Sequence, residues 1–246
     1  MSKNSIKPKR REFIKYTTLG TLVAAAGVGV GISPYILKAE NRLRPPGAVD
    51  EKEFLALCIK CGQCLQVCPY HSIELTDIAY GHGVGTPHID ANIRGCYACK
   101  AVPCVLACPS GALDHSIEKA TEIKMGIAVL EYPKRCLAVL KEPVPAGYDE
   151  KMKNFTNNHT HVHELETKLL EKFKGFEGKA CTLCADMCPM PNAIECIEVK
   201  ETKDGTIRPV VYDQCTGCGA CQDVCPTDGP SIIIKPRMEY KDVYKS

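Results

Sequence analysis

The chain has 246 residues, a formal net charge of +2, 6% aromatic residues and no tryptophan. A charge so near balance excludes the basic field that nucleic-acid binding needs, so no nucleic-acid partner is expected. So few rings also exclude a core built on aromatic packing. Cysteine, at 17 of 246 residues, is what remains to hold the fold.

The amino terminus reads Lys9-Arg10-Arg11-Glu12-Phe13-Ile14-Lys15, followed by an uncharged stretch from Tyr16 to Ile32. Paired arginines ahead of a mildly apolar segment have the form of a twin-arginine export signal, carried by Arg10 and Arg11. The competing reading is a membrane anchor. Against it, Gly20, Gly27, Gly29 and Gly31 weaken the hydrophobicity, Pro34 follows at once, and the stretch is at the lower edge of the roughly 17–25 residues that span a bilayer. Residues 1–40 are therefore expected to be the signal and residues 41–246 one cluster-binding domain. Lys38-Ala39-Glu40 is a poor small-x-small cleavage site, which leaves open that the signal stays as a tether. The expected location is the periplasm, reached in the folded state, in association with the inner membrane.

The first cysteine motif is Cys58, Cys61, Cys64 and Cys68 before Pro69, with Ser72-Ile73-Glu74-Leu75 as a short strand behind it. Gly81-His82-Gly83-Val84-Gly85 lacks the spacing of a nucleotide-binding fingerprint and reads as a loop. The second motif, Cys96, Cys99, Cys104 and Cys108 before Pro109, has a longer gap after Cys99 and leads into Gly111-Ala112-Leu113-Asp114. The third is irregular, with Cys181, Cys184, Cys188 and Pro189 as a compact group. The fourth is Cys215, Cys218, Cys221 and Cys225 before Pro226, led in by Pro209-Val210-Val211-Tyr212 and followed by Ser231-Ile232-Ile233-Ile234. A matching apolar run, Ile127 to Tyr132, leads into Cys136. By that alignment Cys136 is the first ligand of the third motif, and residues 137–180 are an insertion. Cys196, within Ala193-Ile194-Glu195-Cys196-Ile197, is left over and reads as a small buried thiol rather than a ligand.

Inside the insertion, His159, His161 and His163 alternate. Such a tract could bind metal or titrate, but Asn157, Asn158 and Thr160 around it favour a solvated turn. Leu165, Leu169 and Phe173 then fall at i, i+4 and i+8 and predict one apolar helix face packed on the body.

The spacing selects the metal. The first and fourth motifs match the bacterial C-x2-C-x2-C-x3-C-P run for [4Fe–4S] clusters, whose fourth cysteine binds the other cluster in two-cluster ferredoxins. Structural zinc favours separated Cys-x2-Cys pairs instead. Tight, repeated spacings and an odd cysteine count also argue against a disulfide framework. No haem attachment Cys-x-x-Cys-His occurs, and no nucleophile–base pair is evident, so the expectation is an electron carrier and not a catalyst. Sixteen cysteines would hold four [4Fe–4S] clusters. The expected fold is α+β, with duplicated bacterial-ferredoxin-like modules.

Beyond the cysteines, Leu43-Arg44-Pro45-Pro46-Gly47-Ala48, Cys108-Pro109-Ser110-Gly111-Ala112-Leu113-Asp114, Met125-Gly126-Ile127-Ala128-Val129-Leu130 and Cys215-Thr216-Gly217-Cys218-Gly219 resemble the MauM/NapG family of ferredoxin-type proteins, most closely its nitrate-reductase branch. The resemblance implies electrons received from a NapH-like membrane quinol dehydrogenase and passed towards periplasmic nitrate reductase through a c-type cytochrome. Other readings are an electron-transfer subunit of another exported redox enzyme, of the molybdoenzyme or methylamine-utilisation type, and a structural or sensor metalloprotein. Related four-cluster proteins imply a nested pairing. Cys58, Cys61 and Cys64 would join Cys225; Cys215, Cys218 and Cys221 would join Cys68; Cys96, Cys99 and Cys104 would join Cys188; Cys136, Cys181 and Cys184 would join Cys108.

Overall fold

The computed structural model describes residues 42–153 and 162–244, so Arg10, Arg11, His159 and His161 lie outside it. The chain divides into two units. In the smaller, Asp77–Val84 is its described part, and Asp77 caps a single turn at Ile78–Tyr80 by accepting from Ala79 N at 2.8 Å. The larger unit, Asn41–Thr76 with Gly85–Ser246, carries every cysteine.

Helix Glu51–Leu57 starts where Asp50 accepts from Lys52 N at 3.3 Å, with Glu51 and Glu53 in the first turn, where the helix dipole favours negative charge. It buries Phe54 and ends at Cys58, whose extended backbone starts the first cysteine loop. In all four motifs the cysteine preceding Cys-Pro rides on a four-residue helix: Cys64 on Gln63–Gln66, Cys104 on Pro103–Leu106, Cys184 on Leu183–Asp186 and Cys221 on Ala220–Asp223. One turn of helix is too short to be stable by itself, so these turns depend on what surrounds them.

Three two-stranded antiparallel ladders follow one rule. In the second half, β3 (Gly126–Leu130), which precedes the third motif, pairs with β6 (Ile232–Pro236), which follows the fourth, from Gly126↔Pro236 to Leu130↔Ile232. Between them in sequence, β4 (Ile197–Glu201), after the third motif, pairs with β5 (Ile207–Val211), before the fourth. The first half repeats this in reduced form. The bridge Ala48↔Leu113 joins the lead-in of the first motif to the exit of the second, with Val49 N donating to Ala112 O at 3.2 Å. β1 (Glu74–Leu75) pairs with β2 (Pro87–His88) between the two motifs. Of the expected strands, Gly111–Asp114 is thus only a bridge, and Ala193–Glu195 is a 3₁₀ turn with the strand starting at Ile197.

The insertion is closed at its base. Pro143 and Ala180 form an antiparallel bridge, with Val144 N to Lys179 O and Gly178 N to Val144 O both at 2.9 Å. That bridge brings the chain back beside Cys136 after the excursion. Helices Tyr148–Lys153 and Glu164–Lys172 pack inwards through Tyr148, Met152, Leu169 and Phe173, and Tyr148 donates its hydroxyl to Val224 O at 2.8 Å. The expected apolar face needs one correction. Leu165 is 38% exposed, and the wholly buried residue beside it is Glu166. Its carboxylate meets Arg94 Nη1 at 2.9 Å, so a long-range ion pair sets the helix's rotation. His163 is exposed and caps the helix, its Nδ1 accepting from Leu165 N at 3.1 Å.

The two halves meet backbone to backbone. Cys96 N donates to Cys218 O at 2.8 Å, and Gly95 N to the Asp223 carboxylate at 2.9 Å. The same Asp223 oxygen accepts from Tyr97 Oη at 2.8 Å. A β-carbon on Gly95 would lie 2.6 Å from Ala220 N and Gly219 C and 2.7 Å from Ala220 Cα, all of it backbone. Gly95→Ala is therefore expected to destabilise the protein by about 1–3 kcal/mol, the usual cost of overpacking, read as a lower thermal midpoint of the cluster-loaded protein. An unchanged midpoint would show that the halves yield freely.

Candidate metal centre

The thiols gather in four sets of four. Cys58, Cys61 and Cys108 lie close enough to Cys64 to raise its pKa by their charge. Cys68, Cys96, Cys99 and Cys104 line one narrow cavity. Cys136, Cys181, Cys184 and Cys225 line a second. Cys188, Cys215, Cys218 and Cys221 line a third, together with Cys196.

Each set combines three cysteines of one motif with the Cys-Pro cysteine of another. The nested pairing is corrected by this arrangement. Cys108 stands with the first motif and Cys68 with the second, while Cys225 stands with the third and Cys188 with the fourth. The reason is the strand order, since the ladders tie motif one to two and three to four. Cys136, placed by alignment across the insertion, does come together with Cys181 and Cys184.

The sets adjoin one another in series. Cys104 feels the charge of Cys64 in the first set. Cys96 of the second feels Cys218 of the fourth, across the backbone hydrogen bond that joins the halves. Cys221 of the fourth feels Cys184 of the third. The spatial order is therefore first, second, fourth, third. Gly217 makes the fourth loop possible: its φ is +66°, and a β-carbon there would sit 2.2 Å from the backbone of Gly126, so only glycine fits.

The donor chemistry fits iron–sulfur clusters. Burial first, then the charges of neighbouring thiolates, pushes Cys104 up to about 12 and drives Cys96 and Cys221 well above the usual thiol range. Burial similarly lifts Cys181 to about 11, with Cys225 and Cys136 adding to the rise. Four thiolates in one desolvated cavity repel each other unless a cationic centre neutralises them. Among the described residues, no three His, Cys, Asp or Glu side chains converge as they would around a single ion. Soft thiolate donors in sets of four are the ligands that iron–sulfur clusters take. All seventeen cysteines are free thiols.

Most Cys-Pro sulfurs carry their own donors. Cys225 Sγ is 3.2 Å from Thr227 Oγ1 and accepts from Ser231 N at 3.4 Å. Cys108 Sγ is 3.7 Å from Ser110 Oγ, and Cys68 Sγ accepts from Ser72 N at 3.4 Å. Sequence reasoning passed over these hydroxyls, although the Ser or Thr two places after Cys108 and Cys225 is a visible signal.

A family model described as a 4Fe-4S dicluster domain matches residues 57–112 and 179–228. Ferredoxin-type protein NapG of Escherichia coli (strain K12) is 34% identical over 242 residues, covering 94% of this chain and 88% of that protein. The chain belongs to the MauM/NapG family of ferredoxin-type proteins. Within that family, methylamine utilization ferredoxin-type protein MauM of Methylorubrum extorquens is 33% identical over 240 residues, covering 94% of this chain and 90% of its own. NapG of Haemophilus influenzae is 31% identical over 246 residues, covering 96% of this chain and 75% of its own. No solved structure matches. As a MauM/NapG-family member, the chain is an iron–sulfur electron carrier with a ferredoxin-like fold for [4Fe–4S] clusters. Its two matched segments divide the motifs as the strands do, one with two and three with four, although Cys136 lies outside the second segment.

Proposed function

We propose that the protein holds four [4Fe–4S] clusters and relays electrons from a NapH-like membrane quinol dehydrogenase towards periplasmic nitrate reductase, through a c-type cytochrome. The ligands are the sixteen cysteines other than Cys196. When bound, such clusters take up and release single electrons over a wide range of potentials. The observation that carries this reading is the unbroken series of thiol sets through one unit, linked by Cys64 with Cys104, Cys96 with Cys218, and Cys184 with Cys221. A series with two ends suits a relay between two partners. Cys61 is the only exposed cysteine, and Ile59 beside it is 64% exposed, so the first set is the end open to a redox partner.

Export by the twin-arginine route, with Arg10 and Arg11 as its recognition pair, is part of the same proposal. It accounts for clusters assembled in a reducing cytoplasm and used in the periplasm. Among the described residues no helix is long and apolar enough to cross a membrane. The proposal gives membrane association to residues 1–40, on their sequence, and to the quinol-oxidising partner.

Deleting the gene is expected to slow quinol-dependent nitrate reduction while sparing nitrate reduction from an artificial dye donor. Unchanged quinol-dependent reduction would overturn the nitrate branch. The near-equal identity to MauM favours, as the second reading, a methylamine-linked relay, which the same strain would reveal by failing to respire methylamine.

The ligand assignment has its own test. Cys136→Ser is expected to lower iron by about four atoms per chain, one [4Fe–4S] centre. Full iron retention would remove Cys136 from the ligand set.

A further inference from the structure

The fourth motif buries an acid where the other three expose the equivalent residue. Two places after the cysteine on each one-turn helix stand Gln66, Leu106, Asp186 and Asp223; the first three are exposed, and Asp223 is only 6% exposed. Burying a carboxylate is costly unless it is hydrogen-bonded. This one is: its Oδ2 accepts from Gly95 N at 2.9 Å and from Tyr97 Oη at 2.8 Å. Gly95 and Tyr97 are the residues on either side of Cys96, whose own N–H donates to Cys218 O at 2.8 Å. One carboxylate oxygen thus grips both flanks of a second-set cysteine, while its backbone ends the helix that carries Cys221 of the fourth set. Two donors on one oxygen favour the ionised form. Arg94, whose charge also reaches Tyr97, is balanced by Glu166 at 2.9 Å, which leaves a net negative charge among the three. Burial first, then the Asp223 charge, drives the Tyr97 hydroxyl well above its usual range, so it stays a donor.

We propose that Asp223 tunes the relay: its fixed charge, seated where the two halves meet, lowers the reduction potential of the two clusters it lies between. These are the cluster held by Cys68, Cys96, Cys99 and Cys104 and the one held by Cys188, Cys215, Cys218 and Cys221. The inference rests on reading those eight cysteines as cluster ligands. One-electron reduction adds negative charge to a cluster, and a negative neighbour in a poorly screened interior makes that addition less favourable. The first set, at the far end of the series, is the internal reference.

The experiment is a potentiometric EPR titration of the cluster-loaded full chain, comparing wild type with Asp223→Asn and Tyr97→Phe, each with an iron count. Asn removes the charge but keeps an oxygen for Gly95 N and Tyr97 Oη. It is expected to keep full iron and move the couples of the second and fourth clusters to higher potential, leaving that of the first in place. Phe removes one hydrogen bond and keeps the charge, and is expected to produce no such rise. Unshifted couples in Asn at full iron would overturn the proposal. An equal rise in Phe would also overturn it, by assigning the effect to the hydrogen bond, and so would a uniform rise of every couple. If the Asn variant does not load iron, Asp223→Ser, also neutral, is read by the same couples and the same criteria. A wild-type protein that binds no [4Fe–4S] centre would instead defeat the reading beneath it.

Discussion

Stripping the iron from the folded protein is expected to abolish its cooperative melting transition altogether. The polypeptide has little else to cooperate through. Among the described residues, regular structure is three separate two-stranded ladders, of two or five residues per strand, and helices of nine residues or fewer. Two-stranded ladders are marginal in water, and one-turn helices such as Gln63–Gln66 do not stand alone. The hydrophobic core is threaded by Cys64, Cys96, Cys104, Cys218 and Cys221, so many of its side chains pack against the walls of thiol cavities. Without a metal centre each cavity becomes a void lined by thiols, and the free energy of binding is then folding free energy. Calorimetry of chelated, anaerobic apoprotein should show no sharp endotherm, with near-ultraviolet dichroism lost. A cooperative melt in protein shown to be free of iron would mean that the ladders and the insertion suffice.

What the sequence made legible follows from how each feature is encoded. Twelve of the cysteines are written in local spacing, because a loop that sets three thiols around one centre leaves a fixed count between them. Cys136 was recoverable because its lead-in, Ile127 to Tyr132, begins within β3 (Gly126–Leu130) and keeps the apolar pattern of the run before Cys215. The pairing of motifs was not recoverable. It depends on which strand neighbours which, and in the first half those strands are two residues long or a single bridge, too short to have a period. The setting of Cys196 was half legible. It is buried, as a leftover cysteine in an apolar run should be. Its place in the wall of the fourth set's cavity follows a backbone turn at Ala193–Glu195 where the pattern indicated a strand.

Glu166 shows the same limit, and its substitution is the second large effect. Helical periodicity picks out Leu165 and Leu169 and treats the acid between them as solvent-facing. In the structure Glu166 is fully buried against Arg94, which is itself only 7% exposed at its side chain and also donates to Tyr70 O at 3.4 Å. The pair fastens the insertion helix to the segment that enters the second cysteine motif, two residues before Cys96. Glu166→Ala removes the carboxylate but leaves the guanidinium inside, and losing one partner of a buried pair costs about 3–5 kcal/mol. For a chain of this size that corresponds to a fall of about 6–20 °C in the melting midpoint of the cluster-loaded protein. Glu166→Gln keeps an oxygen to accept from Arg94 and should lose less. The difference between the two variants, measured anaerobically with iron content held equal, isolates the ion pair from the clusters. Equal midpoints for Ala and wild type would show that the insertion helix is held by Leu169 and Phe173 alone, and that Arg94 finds its charge balance elsewhere.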